Sequence, residues 1–265
     1  MRIELSLEKS LQQSADEYYA KSKKAKKKLA GLERGVLELG EKLSKESGKR
    51  PEKRVLVRKR QKKWFEKFHW FFTSEGFLVI GGRDSRSNEL VVKKHMDQVD
   101  IYFHADVQGA PHVVMKTTGK EPGEASMREA AVFAAAFSKA WREQIAGIDV
   151  YSAKPGQVSK SAPSGESLGT GAFMVYGKRE WFKRTPLGFA IGYSPKEDPI
   201  VFSGPRSAVK ARAEFYLELE FGSDSKGAAA KRLHREFSKK GVSRGFTLEE
   251  IESLLPSGGI RVVLP

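Results

Sequence analysis

Apolar residues in the first part of the chain recur at alternating intervals of four and three. Leu11, Ala15, Tyr18, Ser22, Ala25, Leu29, Leu32, Val36, Leu39 and Leu43 form this row, and only Ser22 in it is polar. A seam with a 3.5-residue repeat, held over more than four heptads, predicts a coiled-coil helix. Gly31, Gly35 and Gly40 weaken its distal part by about 1 kcal/mol each relative to alanine. Ser47-Gly48-Lys49-Arg50-Pro51 predicts its end. A second stripe at helical spacing follows, with Val57, Gln61, Trp64, Phe68 and Phe71. The short break between the stripes predicts an antiparallel helical hairpin over residues 1–72.

Beyond residue 73 the period changes. Phe77–Ile80 reads as a buried strand ending in Gly81-Gly82, and Asp84 or Ser85 can cap a helix through about Met96. Asp100–Ala105 and Pro111–Lys116 read as strands, and a long helix is predicted from Ala125 to Gln144. Tyr151–Val158 reads as a strand entering a loop of small residues, Ser159–Gly171. Further strands are predicted at Ala172–Tyr176, Phe189–Tyr193, Ile200–Phe202, Ala213–Phe221 and Ile260–Leu264, with a helix at Lys226–Lys239. Strands separated by single helices, then strands at hairpin spacing, indicate an α+β fold. The expected organisation is a helical hairpin over 1–72, a mixed α+β domain over 73–195 and an α/β extension over 196–265.

Charge sharpens this picture. The 265 residues carry 48 Lys and Arg against 33 Asp and Glu, a net +15. Residues 1–67 hold 21 of the cations and 10 of the anions, so one quarter of the chain contributes +11. The excess lies in two blocks, Lys21 to Lys28 and Arg50 to Lys63, and no acidic residue interrupts the first. Such a field concentrates polyanions such as nucleic acid or an anionic membrane; the plainer alternative is a solvated helix face. The longest apolar run, Ala130–Phe137, is far shorter than the roughly 20 residues that span a bilayer. No hydrophobic signal core opens the chain, and there is no cysteine. Thiol catalysis, disulfides and cysteine-held zinc are excluded, and a cytoplasmic setting is expected.

Three loops hold most of the polar candidates. Gly81-Gly82-Arg83-Asp84-Ser85-Arg86-Ser87-Asn88-Glu89 joins a strand to a helix start, where backbone N–H groups and two arginines favour an anion. It lacks the spacing of a nucleotide-hydrolysing loop. His104, Asp106 and His112 lie within nine residues and admit acid–base or metal chemistry, yet strand alternation does not converge them, so no metal and no cofactor is expected. The third loop, with Ser159 and Lys160, suits phosphate or ribose contacts. Lys178-Arg179 and Lys183-Arg184 flank Trp181-Phe182, a pattern that suits stacking beside phosphate contacts or a plain amphipathic edge. His69 and His234 read as ordinary surface or interface residues.

Gly76–Asp84 with Asn88-Glu89, then Asp100–Ala105 and Gly109–Val113, closely resemble the NFACT family. Ser159-Lys-Ser-Ala-Pro-Ser-Gly-Glu166 and Gly169-Thr-Gly-Ala-Phe-Met174 resemble the same RNA-binding domain, and the preceding helix resembles that family's middle region. The wording of Phe77–Asp84 and of Leu255–Arg261 is closer to archaeal or eukaryotic members than to bacterial ones. The resemblance implies a ribosome-associated quality-control factor. Such factors bind the large ribosomal subunit carrying an obstructed peptidyl-tRNA, recruit tRNA and extend the stalled peptide without a template. The family's amino-terminal domains have no counterpart in these residues, so they are expected in the same or another chain. Expected partners are therefore rRNA of the large subunit and tRNA, with no membrane.

Candidate RNA contacts are Lys23, Lys24, Lys26 and Lys27 on the first helix, and Arg58, Arg60 and Lys62 on the second arm. In the domain they are Arg83, Asp84, Asn88, His104, Asp106, His112, Ser159, Lys160, Lys178 and Arg179. The expected function is that of a non-catalytic RNA-binding module. The alternative is an RNA-processing enzyme using His104, Asp106 and His112.

Overall fold

The heptad row forms a helix, α1 (Leu11–Glu46), of 36 residues. At 1.5 Å per residue it is about 54 Å long. Its seam side chains Leu11, Leu29, Leu32 and Val36 are exposed, as are Lys23, Lys24, Lys26 and Lys27. The computed structural model describes residues 10–46, 61–161, 168–242 and 245–264, and it divides into two compact units, Met1–Leu56 and Val57–Pro265. Arg58 and Arg60 lie outside the described residues.

From Gln61 on, the second helical arm is a correction; Val57 and the rest of the arm before it lie outside the described residues. Trp64–Lys67 is a single 3-10 turn and the next residues form a strand, β1 (His69–Phe72). Phe68 and Phe71 are fully buried in the second unit rather than on a hairpin seam. Their spacing fits a helix, but pairing with the following strand decides the backbone. Trp70 lies opposite Ile80 and Phe71 opposite Val79.

The remaining elements are β2 (Leu78–Gly81), α2 (Ser85–His95), β3 (Ile101–Ala105), β4 (Val113–Lys116), α3 (Glu124–Ala136), α4 (Lys139–Arg142) and β5 (Gly147–Ala153). They continue with β6 (Val158–Ser159), β7 (Met174–Val175), β8 (Glu180–Pro186), β9 (Phe189–Tyr193), β10 (Val201–Pro205) and α5 (Arg206–Arg212). The chain closes with β11 (Phe215–Asp224), α6 (Lys226–Lys239), α7 (Leu248–Leu254) and β12 (Ile260–Val263).

One sheet has the order β1-β2-β4-β3-β5-β8 and a second the order β10-β9-β11-β12, and β6 pairs with β7. Every pairing is antiparallel. Helix α3 touches strands of both large sheets. Its run of alanines, Ala130, Ala131, Ala134, Ala135 and Ala136, is fully buried, because from Ala130 on the helix is apolar all round. The small side chains leave room for Phe133, whose ring lies 4.7 Å from that of Phe71.

The long helix expected through Gln144 breaks instead at Phe137. Ser138 caps a new turn, accepting a hydrogen bond from the Ala140 N–H at 3.1 Å. Among the described residues no helix is long and apolar enough to cross a membrane.

Candidate nucleic-acid interface

The turn before α2, the loop from β3 to β4 and residues 170–173 line one cleft of about 500 Å³. Glycines set its walls. A Cβ on Gly82 would meet Asn88 Oδ1 at 2.0 Å, so only glycine lets this turn close on α2. Gly171 has φ +77°, and a Cβ there would meet the Ser85 carbonyl oxygen at 2.5 Å.

The helix start that favours an anion in the sequence is already occupied by the chain itself. Asp84 caps α2, its Oδ1 accepting the Ser87 N–H at 2.7 Å. These hydrogen bonds hold the Asp84 carboxyl below its usual range. The Arg83 and Asp84 N–H groups both donate to Ser87 Oγ, at 2.7 and 2.8 Å. The guanidinium of Arg83 donates to the Phe68 carbonyl at 2.9 Å and the Ser253 carbonyl at 3.1 Å. It ties the residue just before β1 to α7 at the rim of the cleft.

His112 is the best-connected group. Its Nε2 lies 2.8 Å from the Gly171 carbonyl, which only accepts, so Nε2 carries the proton. Nδ1 then accepts from the Tyr102 hydroxyl at 2.5 Å, and the His112 N–H donates to Asn88 Oδ1 at 3.0 Å. Burial first, then the neighbouring His104, pushes its pKa down to about 3. With both ring nitrogens engaged and the ring neutral, His112 is a strut between β4, α2 and the third loop.

His104 stacks on it, with ring centroids 4.8 Å apart, and its Nδ1 donates to the Pro111 carbonyl at 3.1 Å. Burial lowers its pKa as well. Asp106 is exposed beyond the end of β3, and its N–H bonds the Asp149 carbonyl at 2.8 Å. Among the described residues no three His, Asp or Glu side chains are placed to hold a metal ion.

Lys160 spends its ammonium inside the chain. It donates to Glu89 at 2.9 Å and to the carbonyls of Gly169 and Ala172 at 2.8 and 3.0 Å. Glu89 also accepts the Gly171 N–H at 2.7 Å, and its pKa falls to about 2, chiefly through Lys160 and then Lys93. Ser159 Oγ accepts the Ser161 N–H at 3.0 Å. Residues 162–167 of this loop lie outside the described residues.

Three groups escaped the sequence reading. His69, expected as an ordinary surface or interface residue, stacks on Phe137 at 3.9 Å and lines the cleft. Its buried Nδ1 has no hydrogen-bond partner among the described residues, and burial followed by the charges of Arg83 and Lys226 holds its pKa well below the usual value. Tyr102 and Tyr151, read only as strand residues, hold the histidines. Their alternation on β3 and β5 is the signal that places them.

At the far edge of the large sheet, at or beside β8, Lys178 and Trp181 are exposed and Arg179 is half-buried, while Lys62, ahead of β1 at the other edge, is also exposed. Segment 178–184, read as basic residues interleaved with aromatics, is mostly that edge strand. No ion pair among the described residues engages Lys23, Lys24, Lys26, Lys27 or Lys178.

Comparison with known proteins places this geometry. Residues 67–177 match the family model described as the NFACT protein RNA binding domain. That segment contributes nearly all of the cleft. The chain is 39% identical over 207 residues to the archaeal Rqc2 homolog aRqcH of Methanocaldococcus jannaschii, covering 77% of this chain and 30% of that protein. It is 43% identical over 137 residues to the ribosome quality control complex subunit NEMF homolog of Drosophila melanogaster, covering 51% and 14%. With the human ribosome quality control complex subunit NEMF the identity is 36% over 179 residues, covering 67% and 16%. The chain thus spans less than a third of the length of these relatives. With the cleft-forming loops inside the matched segment, residues 67–177 of this chain form an NFACT RNA-binding domain.

Proposed function

We propose that this chain is the RNA-binding part of a cytoplasmic ribosome quality-control factor. It attaches to rRNA of the large subunit that holds an obstructed peptidyl-tRNA, and it contacts tRNA. In the intact protein it supports untemplated extension of the stalled chain's carboxy terminus. The observation that carries this reading is the RNA-binding-domain match over the cleft-forming segment. The unneutralised cations support it. Lys23, Lys24, Lys26 and Lys27 are exposed on α1 without ion pairs among the described residues, whereas Arg83 and Lys160 are engaged internally. Phosphate attraction therefore falls to α1 and to the β8 edge around Lys178 and Arg179, with the cleft loops giving shape.

The test is binding to purified large subunits, with and without peptidyl-tRNA, across a range of salt. Changing Lys23, Lys24, Lys26 and Lys27 together to Glu is expected to weaken binding and flatten the log–log salt slope. Each lost phosphate contact removes roughly 0.7–0.9 from that slope. A wild-type slope in the quadruple variant refutes the contact, and equal affinity for empty and obstructed subunits refutes the preference for stalled complexes.

A further inference from the structure

Rings on four neighbouring positions cross one face of the large sheet in a row. Tyr151 on β5 lies directly opposite His104 on β3 and opposite Trp181 on β8. The ring centroids are 5.9 Å apart for His104 and Tyr151 and 5.3 Å apart for Tyr151 and Trp181. His104 in turn stacks on His112 at 4.8 Å, inside the cleft. The opposite face carries the core: Phe103 and Phe182, one residue along, meet there at 6.0 Å. Three strand spacings of about 4.8 Å make the row about 14 Å wide, from the sheet edge to the cleft.

Cations lie over these rings. The Arg179 guanidinium sits 4.6 Å above Tyr151 and the Lys183 ammonium 4.3 Å from the centre of Trp181. Tyr151 is 6% exposed beneath its arginine, while Trp181 is 39% exposed. Lys183 is neutralised by Asp149 at 2.8 Å, and Arg179 has one N–H on the Val175 carbonyl. Trp181 thus keeps part of a large indole open at the sheet edge, beside a tyrosine that carries a guanidinium.

We propose that Trp181 and the Arg179–Tyr151 pair form a stacking platform for consecutive unpaired bases of single-stranded RNA, leading toward His104 and the cleft. Bases stack on aromatic faces and on arginine planes whatever their identity, and a duplex keeps its base faces internal. The platform rests on the reading of this chain as an RNA-binding module, and it adds that the strand bound there is unpaired.

The experiment measures fluorescence anisotropy of the whole chain with a labelled single strand of about 12 nucleotides and with a duplex of the same length. Trp181→Ala is expected to weaken the single strand about 5- to 150-fold, the range for one stacked base, and to leave the duplex affinity and the salt slope unchanged. Trp181→Leu keeps apolar bulk without a ring and should behave as the alanine variant, whereas Trp181→Phe should stay near wild type. Thermal unfolding checks that each variant is folded. Wild-type affinity in both the alanine and leucine variants overturns the platform, and so does a loss shared equally by single strand and duplex. If wild-type chain binds neither RNA, the RNA-binding reading itself fails, and the platform fails with it.

Discussion

Acid should unfold the second unit through His112, and the size of the effect follows from its surroundings. The ring is 6% exposed, flanked by Tyr102, His104 and the Gly171 carbonyl, with Lys160 and Glu89 beyond. Its folded pKa of about 3 lies below the roughly 6.5 of an imidazole in an unfolded chain. Depression of this kind gives stability that is complete above about pH 6.5 and is lost as pH falls toward 3, because only the unfolded chain takes up the proton. Between pH 7 and pH 5 the unfolded imidazole gains its proton while the folded one stays neutral. The loss is about 1.5 pH units at 1.36 kcal/mol each, or about 2 kcal/mol. It depends on the unfolded pKa alone as long as the folded value is well under 5. Glu89 acts in a lower window and does not interfere. Urea unfolding followed by tryptophan fluorescence at the two pH values measures it. His112→Gln should be less stable at pH 7 by about 1–3 kcal/mol, since Tyr102 and Gly171 lose a fitted partner. Its further loss on going to pH 5 should be smaller than the wild type's by about 2 kcal/mol. His69, His95 and His104, also lowered, remain in both proteins and cancel in the comparison. An identical pH 7 to pH 5 loss in both proteins refutes the neutral, buried strut.

Lys160→Met should destabilise the loop by about 1.5–3 kcal/mol, because Glu89 and two carbonyls lose their donor; thermal unfolding and faster proteolysis within residues 160–173 read it. Unchanged stability with reduced RNA affinity would instead make Lys160 a direct contact. Gly171→Ala should cost more than about 2 kcal/mol, since φ +77° and the Ser85 carbonyl both exclude a side chain; a melting temperature within a degree or so of wild type would refute the close approach. Arg83→Ala should lower stability by about 1–3 kcal/mol through the Phe68 and Ser253 carbonyls, and Arg83→Lys should recover only part, because one ammonium does not reproduce the fork; full recovery in denaturant melts would refute the two-point tie.

Local signals carried much of the fold. The cap at Asp84 and the apolar runs of β2, β3, β4 and β9 were legible because each obeys a short-range rule. The capping box Thr247–Glu250 that starts α7 is equally local and was missed only for want of a strong apolar period after it. By contrast, Phe68 and Phe71 satisfy a helical spacing that pairing with β2 overrides, and β8 hides its strand under alternating cations and rings.

The chemistry of the site divides in the same way. Sequence alone determined the basic surplus of the first 67 residues, the absence of thiol chemistry and which three loops carry polar groups. Only the tertiary structure decided what those groups are free to do. Lys160 finds Glu89 across 71 positions, His112 finds Gly171 across 59, and Arg83 finds Ser253 across 170. A hydrogen bond forms where two atoms come within about 3 Å, and that distance is set by sheet order and loop closure, which no spacing along the chain encodes.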